Sequence, residues 1–149
     1  MREIFTEALN QAIKAQDKRR MGTLRLITAA IKDRDIAQRG AGKDPLADDE
    51  IRQVLTKMVK QRQESAKIYE DNGRAELAAQ EREEIAIIEE FLPAQLDPNA
   101  VEAACRQVVA DTNAQGLRDV GRCMSALKER YAGQMDFARA SGVVKELLR

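Results

Sequence analysis

Apolar residues recur along this chain at helical spacing almost without a break. Ile4, Ala8, Leu9, Ala12 and Ile13 make one stripe between residues 3 and 16, which predicts a first amphipathic helix. From Lys18 to about Ala37, Leu24, Ile27 and Ile31 fall at i, i+3 and i+7 and predict a second. Gly40, Gly42 and Pro45 make residues 38–47 a loop. Asp48 is then the best-placed cap for a third helix, with Asp49 and Glu50 set against its dipole. Its inner face reads Ile51, Val54, Leu55, Met58, Ser65 or Ala66, and Tyr69, interrupted by Arg62, while Lys57, Lys60 and Lys67 point outward. Asn72-Gly73 supplies a turn able to take positive φ. A fourth helix returning along the third gives a long antiparallel hairpin with arms of roughly 28 to 36 Å at 1.5 Å per residue.

The stretch EREEIAIIEEFLPAQLDP, from Glu81 to Pro98, divides the chain. Ile85, Ile88 and Leu92 continue one apolar face, which Ile87 and Phe91 widen. Pro93 lacks an amide hydrogen and disfavours helical backbone at Leu92, so the helix is expected to stop there. Asp97 caps the next helix, with Pro98 at its first position. Three shorter helices follow. The first turns Val101, Ala104, Cys105 and Val108 inward and is closed by Gly116; the second buries Val120, Cys123, Met124, Leu127 and Tyr131 before Ala132-Gly133. The last is capped by Asp136 and carries Val143, Val144, Leu147 and Leu148. The expectation is an all-α chain: an N-terminal four-helix domain over 1–93, a linker at 94–96 and a three-helix tail domain over 97–149.

At 149 residues the chain is long enough to bury about 70% of its unfolded surface without a staple. Its 25 basic and 25 acidic side chains cancel, so any electrostatic function must be local. Two places concentrate charge. Lys18, Arg25, Lys32 and Arg39 recur every seven residues, and since a heptad drifts only about 20° per step on a helix, they form one basic stripe. A solvated face paired with Asp17, Asp33 and Asp35 is the plain reading, and a track for phosphates is the sharper one. Eight acids against Arg74 and Arg82 make Glu70 to Glu90 locally negative, either as a solvated face or as one opposing the basic second helix.

Candidate chemistry is sparse. There is no His, which removes the commonest general base and transition-metal ligand, together with the Ser-His-Asp, Cys-His and Glu-x-x-His arrangements. No metal site and no cofactor are expected. Cys105 and Cys123 lie on apolar stripes with no metal or redox spacing and read as buried small hydrophobes. Aromatics are 3% with no Trp, so the usual stacking platform for single-stranded nucleic acid is missing. The aliphatic run Ile85 to Ile88 is too short to cross a bilayer and the N-terminus opens no secretory signal, so no membrane contact and a cytoplasmic location are expected. No Gly-rich phosphate loop, Ser-x-x-Lys or Gly-x-Ser-x-Gly motif is present.

Five stretches, in matching order, resemble the YqeY family: LRLITAAIKDRDI from Leu24, KMVKQRQESAKIYEDNGRAELAAQE from Lys57, IEEFLPAQL from Ile88, DVGRCMSALKERYAG from Asp119 and the closing VVKELL. The tail of that family is shared with GatB, the B subunit of the glutamine-dependent aspartyl/glutamyl-tRNA amidotransferase. The resemblance implies a tRNA-binding accessory protein, with tRNA and a tRNA synthetase or amidotransferase as partners. It also attaches the label of a carbon-nitrogen ligase with glutamine as amide donor. Because the catalytic domain of the B subunit has no counterpart here, the implication is an appendage that is not catalytic alone. Within the tail, the matching cations are Arg122, Lys128, Arg130, Arg139 and Lys145, which the resemblance makes tRNA-binding candidates. Ser125, Ala132, Gln134 and Ala138 stand where the family often has basic residues, and each absent cation removes a possible phosphate contact. Gly121 and Gly133 match the family. Gly133 suits a helix stop, while Gly121, inside a helix, reads as a site of helix packing or of close backbone approach.

Overall fold

Helix signals dominate every segment of the computed structural model, which describes residues 1–149 as seven α-helices and one 3₁₀ turn with no strand. The helices are α1 (Arg2–Lys14), α2 (Lys18–Gly40), α3 (Asp48–Asp71), α4 (Ala75–Glu89), α5 (Pro98–Asp111), α6 (Val120–Arg130) and α7 (Phe137–Leu147); the 3₁₀ turn is Leu117–Asp119. The chain divides into two compact units, Met1–Leu92 and Pro93–Arg149.

In the first unit α3 and α4 pack antiparallel, as their cross-links record: Arg82 Nε donates to Glu70 at 2.9 Å and Arg62 Nε to Glu84 at 3.0 Å. Gly73, at φ +72°, makes the turn between them, a conformation that costs glycine little. Arg62 is the residue that breaks the apolar pattern of α3. Its side chain is 15% exposed and that of Glu84 13%, so the interruption is an ion pair between helices, with Nη1 also donating to Met58 O. α4 is shorter than the expected arm, about 22 Å at 1.5 Å per residue. Beyond Glu89 the backbone tightens into i→i+3 bonds as it approaches Pro93, and Phe91 and Leu92 pack on the core without being helical.

Leu24, Ile27, Ile31, Ile51, Leu55 and Ile88 form the core of this unit together with Phe5. On α1 the expected stripe is displaced. Phe5 and Ala12 are buried, whereas Ile4 and Ile13 are 54% and 45% exposed. The apolar arc of α1 is wider than the surface offered to it, so only the strip through Phe5 and Ala12 is covered, and Phe5 meets Phe91 at 5.0 Å between centroids. Two boundaries also differ. α2 continues through Gln38 and Arg39 to Gly40, and the turn follows at Gly42, φ +74°. α3 is capped at Ala47 rather than Asp48: buried Leu46 anchors the preceding strand of chain, and Glu50 Oε1 reaches back to accept from Ala47 N–H at 3.1 Å.

The tail unit packs α5, α6 and α7 around Cys105, Val108, Cys123, Leu127, Met135, Ala140 and Val144. Both cysteines are free and fully buried, as their apolar positions predicted. Asp97 caps α5, accepting from Ala100 N at 2.7 Å, with Pro98 in the first turn. Residues 94–96, expected as a linker, are tied to the tail: Leu96 packs on its core and donates its N–H to Gln134 O at 2.9 Å, and Gln95 Nε2 bonds Gly133 O. Gly133 itself is at φ +76°, which suits the helix stop read from its position. Gly121 is exposed, and a Cβ placed there meets nothing within 4 Å, so neither close backbone approach nor helix packing explains it.

Candidate nucleic-acid interface

α2 carries its cations on two different faces. Arg19 and Arg20 turn toward α4: Arg19 Nε lies 3.1 Å from Glu83 and its Nη1 3.9 Å from Glu84, while Arg20 pairs with Glu90 and sits 6.0 Å from the Phe91 ring centroid. The acidic helix therefore opposes the basic one, at Arg19 and Arg20. The heptad stripe is separate. Lys18, Arg25, Lys32 and Arg39 are all exposed, and none makes an ion pair.

Two of the three carboxylates expected to neutralise that stripe are engaged elsewhere, and the third, Asp33, forms no ion pair with it. Asp17 caps α2, its Oδ1 accepting from Arg20 N at 3.1 Å. Asp35 receives Arg2 on both oxygens, at 2.6 and 3.0 Å, and Leu46 N–H at 2.9 Å. The Arg2 hydrogen bonds, then the Leu46 amide, hold the Asp35 carboxyl below its ordinary range, and Asp35 in turn raises Arg2. Asp33 is exposed and makes no hydrogen bond. Other lysines and arginines of the first unit also lack carboxylate partners. Alignment along one helix face is what singles out these four.

The tail candidates are less united. Arg122 lies 3.4 Å from Asp119, and Arg130 donates to Asp111 at 2.8 Å. Asp111 is held low by Arg130 and then by Gln107; Asp119 is held low first by the Gln115 amide. Lys128, Arg139 and Lys145 are exposed and without an ion pair. At 100° per residue, Lys128 and Arg130 fall on opposite flanks of the buried face of α6, as do Arg139 and Lys145 on α7. Arg139 borders a cavity of about 540 Å³ floored by Leu96, Val101, Val143 and Leu147, with Glu102, Asp136 and Glu146 at its edge. Arg118, in the 3₁₀ turn, is a further exposed cation with no ion pair; it falls outside the helical stripes, which is why periodicity passed over it.

Burial pushes the Cys105 thiol up, away from the reactive thiolate, and its Sγ lies 3.9 Å from Ala140 O. Glu84, in the acidic helix, is occupied by arginines. No helix is long and apolar enough to cross a membrane.

The family model for Yqey-like proteins matches residues 2–148. Among curated proteins, the chain is similar to altered inheritance of mitochondria protein 41, a mitochondrial protein, of Eremothecium gossypii: 32% identical over 98 residues, which is 66% of this chain and 52% of the relative. The protein of the same name from Lachancea thermotolerans is 31% identical over 84 residues, 56% of this chain and 43% of the relative. The chain thus spans about half the length of the curated relatives it matches.

Proposed function

The chain belongs to the Yqey-like protein family, and on that premise we propose that it is a non-catalytic accessory protein that binds tRNA. Its relation to glutamine-dependent tRNA amidotransferase would be that of a holder of RNA, with a synthetase or amidotransferase as the protein partner. The observation that carries the reading is the α2 stripe, four aligned, exposed cations that form no ion pair in a chain of no net charge. The free Lys128, Arg139 and Lys145 support it from the tail. Neutralising phosphates releases counterions, so binding must weaken linearly in log salt, by about 0.7 to 0.9 per phosphate. Fluorescence anisotropy with purified tRNA from 50 to 200 mM salt, roughly the range over which such binding changes most visibly, tests this. A salt-dependent isotherm is expected; no binding at the lowest salt would sink the reading.

One observation favours a second reading, a protein-interaction module: Leu26, Ile36 and Ile68 are 46%, 57% and 60% exposed on the first unit. Failure to bind RNA together with co-purification of a defined protein partner would select it. We place the protein's action in the cytoplasm; the relatives carry a mitochondrial name, so fractionation of the source cells decides between cytoplasm and organelle.

A further inference from the structure

We propose that the exposed face of α2 seats the phosphate backbone of a double-helical RNA stem, recognised by shape and not by base sequence. This rests on the RNA-binding reading above and names its substrate class and its surface. α2 is one continuous helix of 23 residues with no proline to kink it. Seven residues at 1.5 Å per residue separate successive cations by about 10.5 Å, so the line from Lys18 to Arg39 runs about 32 Å. The drift of about 20° per heptad winds the line by only about 60° over its whole length. Four point charges held at fixed intervals match a backbone whose own geometry is fixed. A flexible single strand gains nothing from that regularity.

Two further features point the same way. Gly22 and Ala29 lie beside the first three cations, and nothing stands within 4 Å of the position a Gly22 Cβ would take, so phosphates have room to approach there; Ile36, 57% exposed, shares the face between Lys32 and Arg39. Proteins that hold single strands stack successive bases on exposed aromatics, each worth about 1–3 kcal/mol. Here Phe5 is 1% exposed, and Phe91, Phe137, Tyr69 and Tyr131 are all half-buried. No stacking platform accompanies the stripe. Asp33 is the one acid exposed on this side of α2, and it sits at the flank of the line, about 60° from Lys18 and 100° from Lys32 around the helix.

The test compares a labelled RNA hairpin with a stem of about two turns, against one of its strands alone, over a salt series. The full-length chain is expected to bind the stem more tightly than the strand, with a log–log salt slope of roughly −3 to −4 for four phosphates. Lys18→Glu with Arg25→Glu should flatten the slope by about two units and weaken stem binding about tenfold or more at the higher salt. Arg122→Glu with Lys128→Glu should change both less than the α2 pair does. Lys32→Gln with Arg39→Gln provides a second, milder pair, and unaltered circular dichroism shows that each variant folds. If the tail pair flattens the slope and the α2 pairs do not, this surface is wrong while RNA binding stands. If the single strand binds as well as the stem, the duplex class is wrong. If nothing binds at low salt, this inference and the function proposed above fall together.

Discussion

The two units handle positive charge in different ways. In the first, one long helix sorts its arginines and lysines by angle: Arg19 and Arg20 face α4 and meet Glu83, Glu84 and Glu90, while the heptad-spaced residues face away and form no ion pair. In the tail, cations are distributed over three short helices, and two of the five candidates are taken by nearby acids, Arg122 by Asp119 and Arg130 by Asp111. A periodic sequence makes a continuous charged surface only when one rigid element is long enough to carry several repeats. Eleven-residue helices such as α6 and α7 complete only about three turns, so their cations end on opposing flanks.

If the two regions, divided between Leu92 and Pro93, are separate folding units, their cores should fail separately. Leu55 and Leu127 are both fully buried, one in each core, and truncating either to Ala should cost about 2–5 kcal/mol. Native-state hydrogen exchange is expected to show Leu55→Ala lowering protection in α1–α4 alone and Leu127→Ala in α5–α7 alone. Loss of protection throughout both units from either substitution would show a single cooperative unit.

A smaller contrast concerns acid. Asp35 and Asp111 are both held below their ordinary range by an arginine, but Asp35 also receives the Leu46 amide and is the more covered, 21% against 38% exposed. A lowered carboxyl stabilises the fold above its unfolded-state pKa, and that contribution disappears as pH falls through the still lower folded-state value. Asp35→Asn should therefore lower Tm at pH 7 by roughly 5 °C and by less near pH 3, whereas Asp111→Asn should change little at either pH because its pair is screened by solvent. Equal effects of the two substitutions in thermal melts would erase the distinction.

The smallest expected effect uses two open glycines. Gly22 lies inside α2 and Gly121 in the first turn of α6, and neither would have a Cβ contact within 4 Å. Gly22→Ala should stabilise its unit by about 0.5–1 kcal/mol, and Gly121→Ala by less, since the end of a helix is less completely ordered. Urea unfolding of each variant measures both. A destabilisation at Gly22 would reveal a close approach to that face of α2.

Pattern and local chemistry were sufficient for the all-helical class, for the break at Pro93 and the Asp97-Pro98 restart, for the Asn72-Gly73 turn and for the burial of both cysteines. Each depends on a residue's own backbone preference or on helical period, which act over a few residues. The stripe on α2 was legible for the same reason, because a heptad repeat is a property of one helix. Its neutralisation was not. Whether Asp17 and Asp35 would pair with it depended on the cap of α2 and on Arg2, 33 residues from Asp35, and only packing brought Arg2 there. The same holds for α1, where Phe5 displaced Ile4 and Ile13 from the core because the covering surface belongs to other helices, and for Arg62, whose break in an apolar face became an ion pair once α4 lay alongside. Spacing along the chain determines which side chains share a face. Which of those faces is covered, and which charges are left for a partner, is decided by the elements that fold against it.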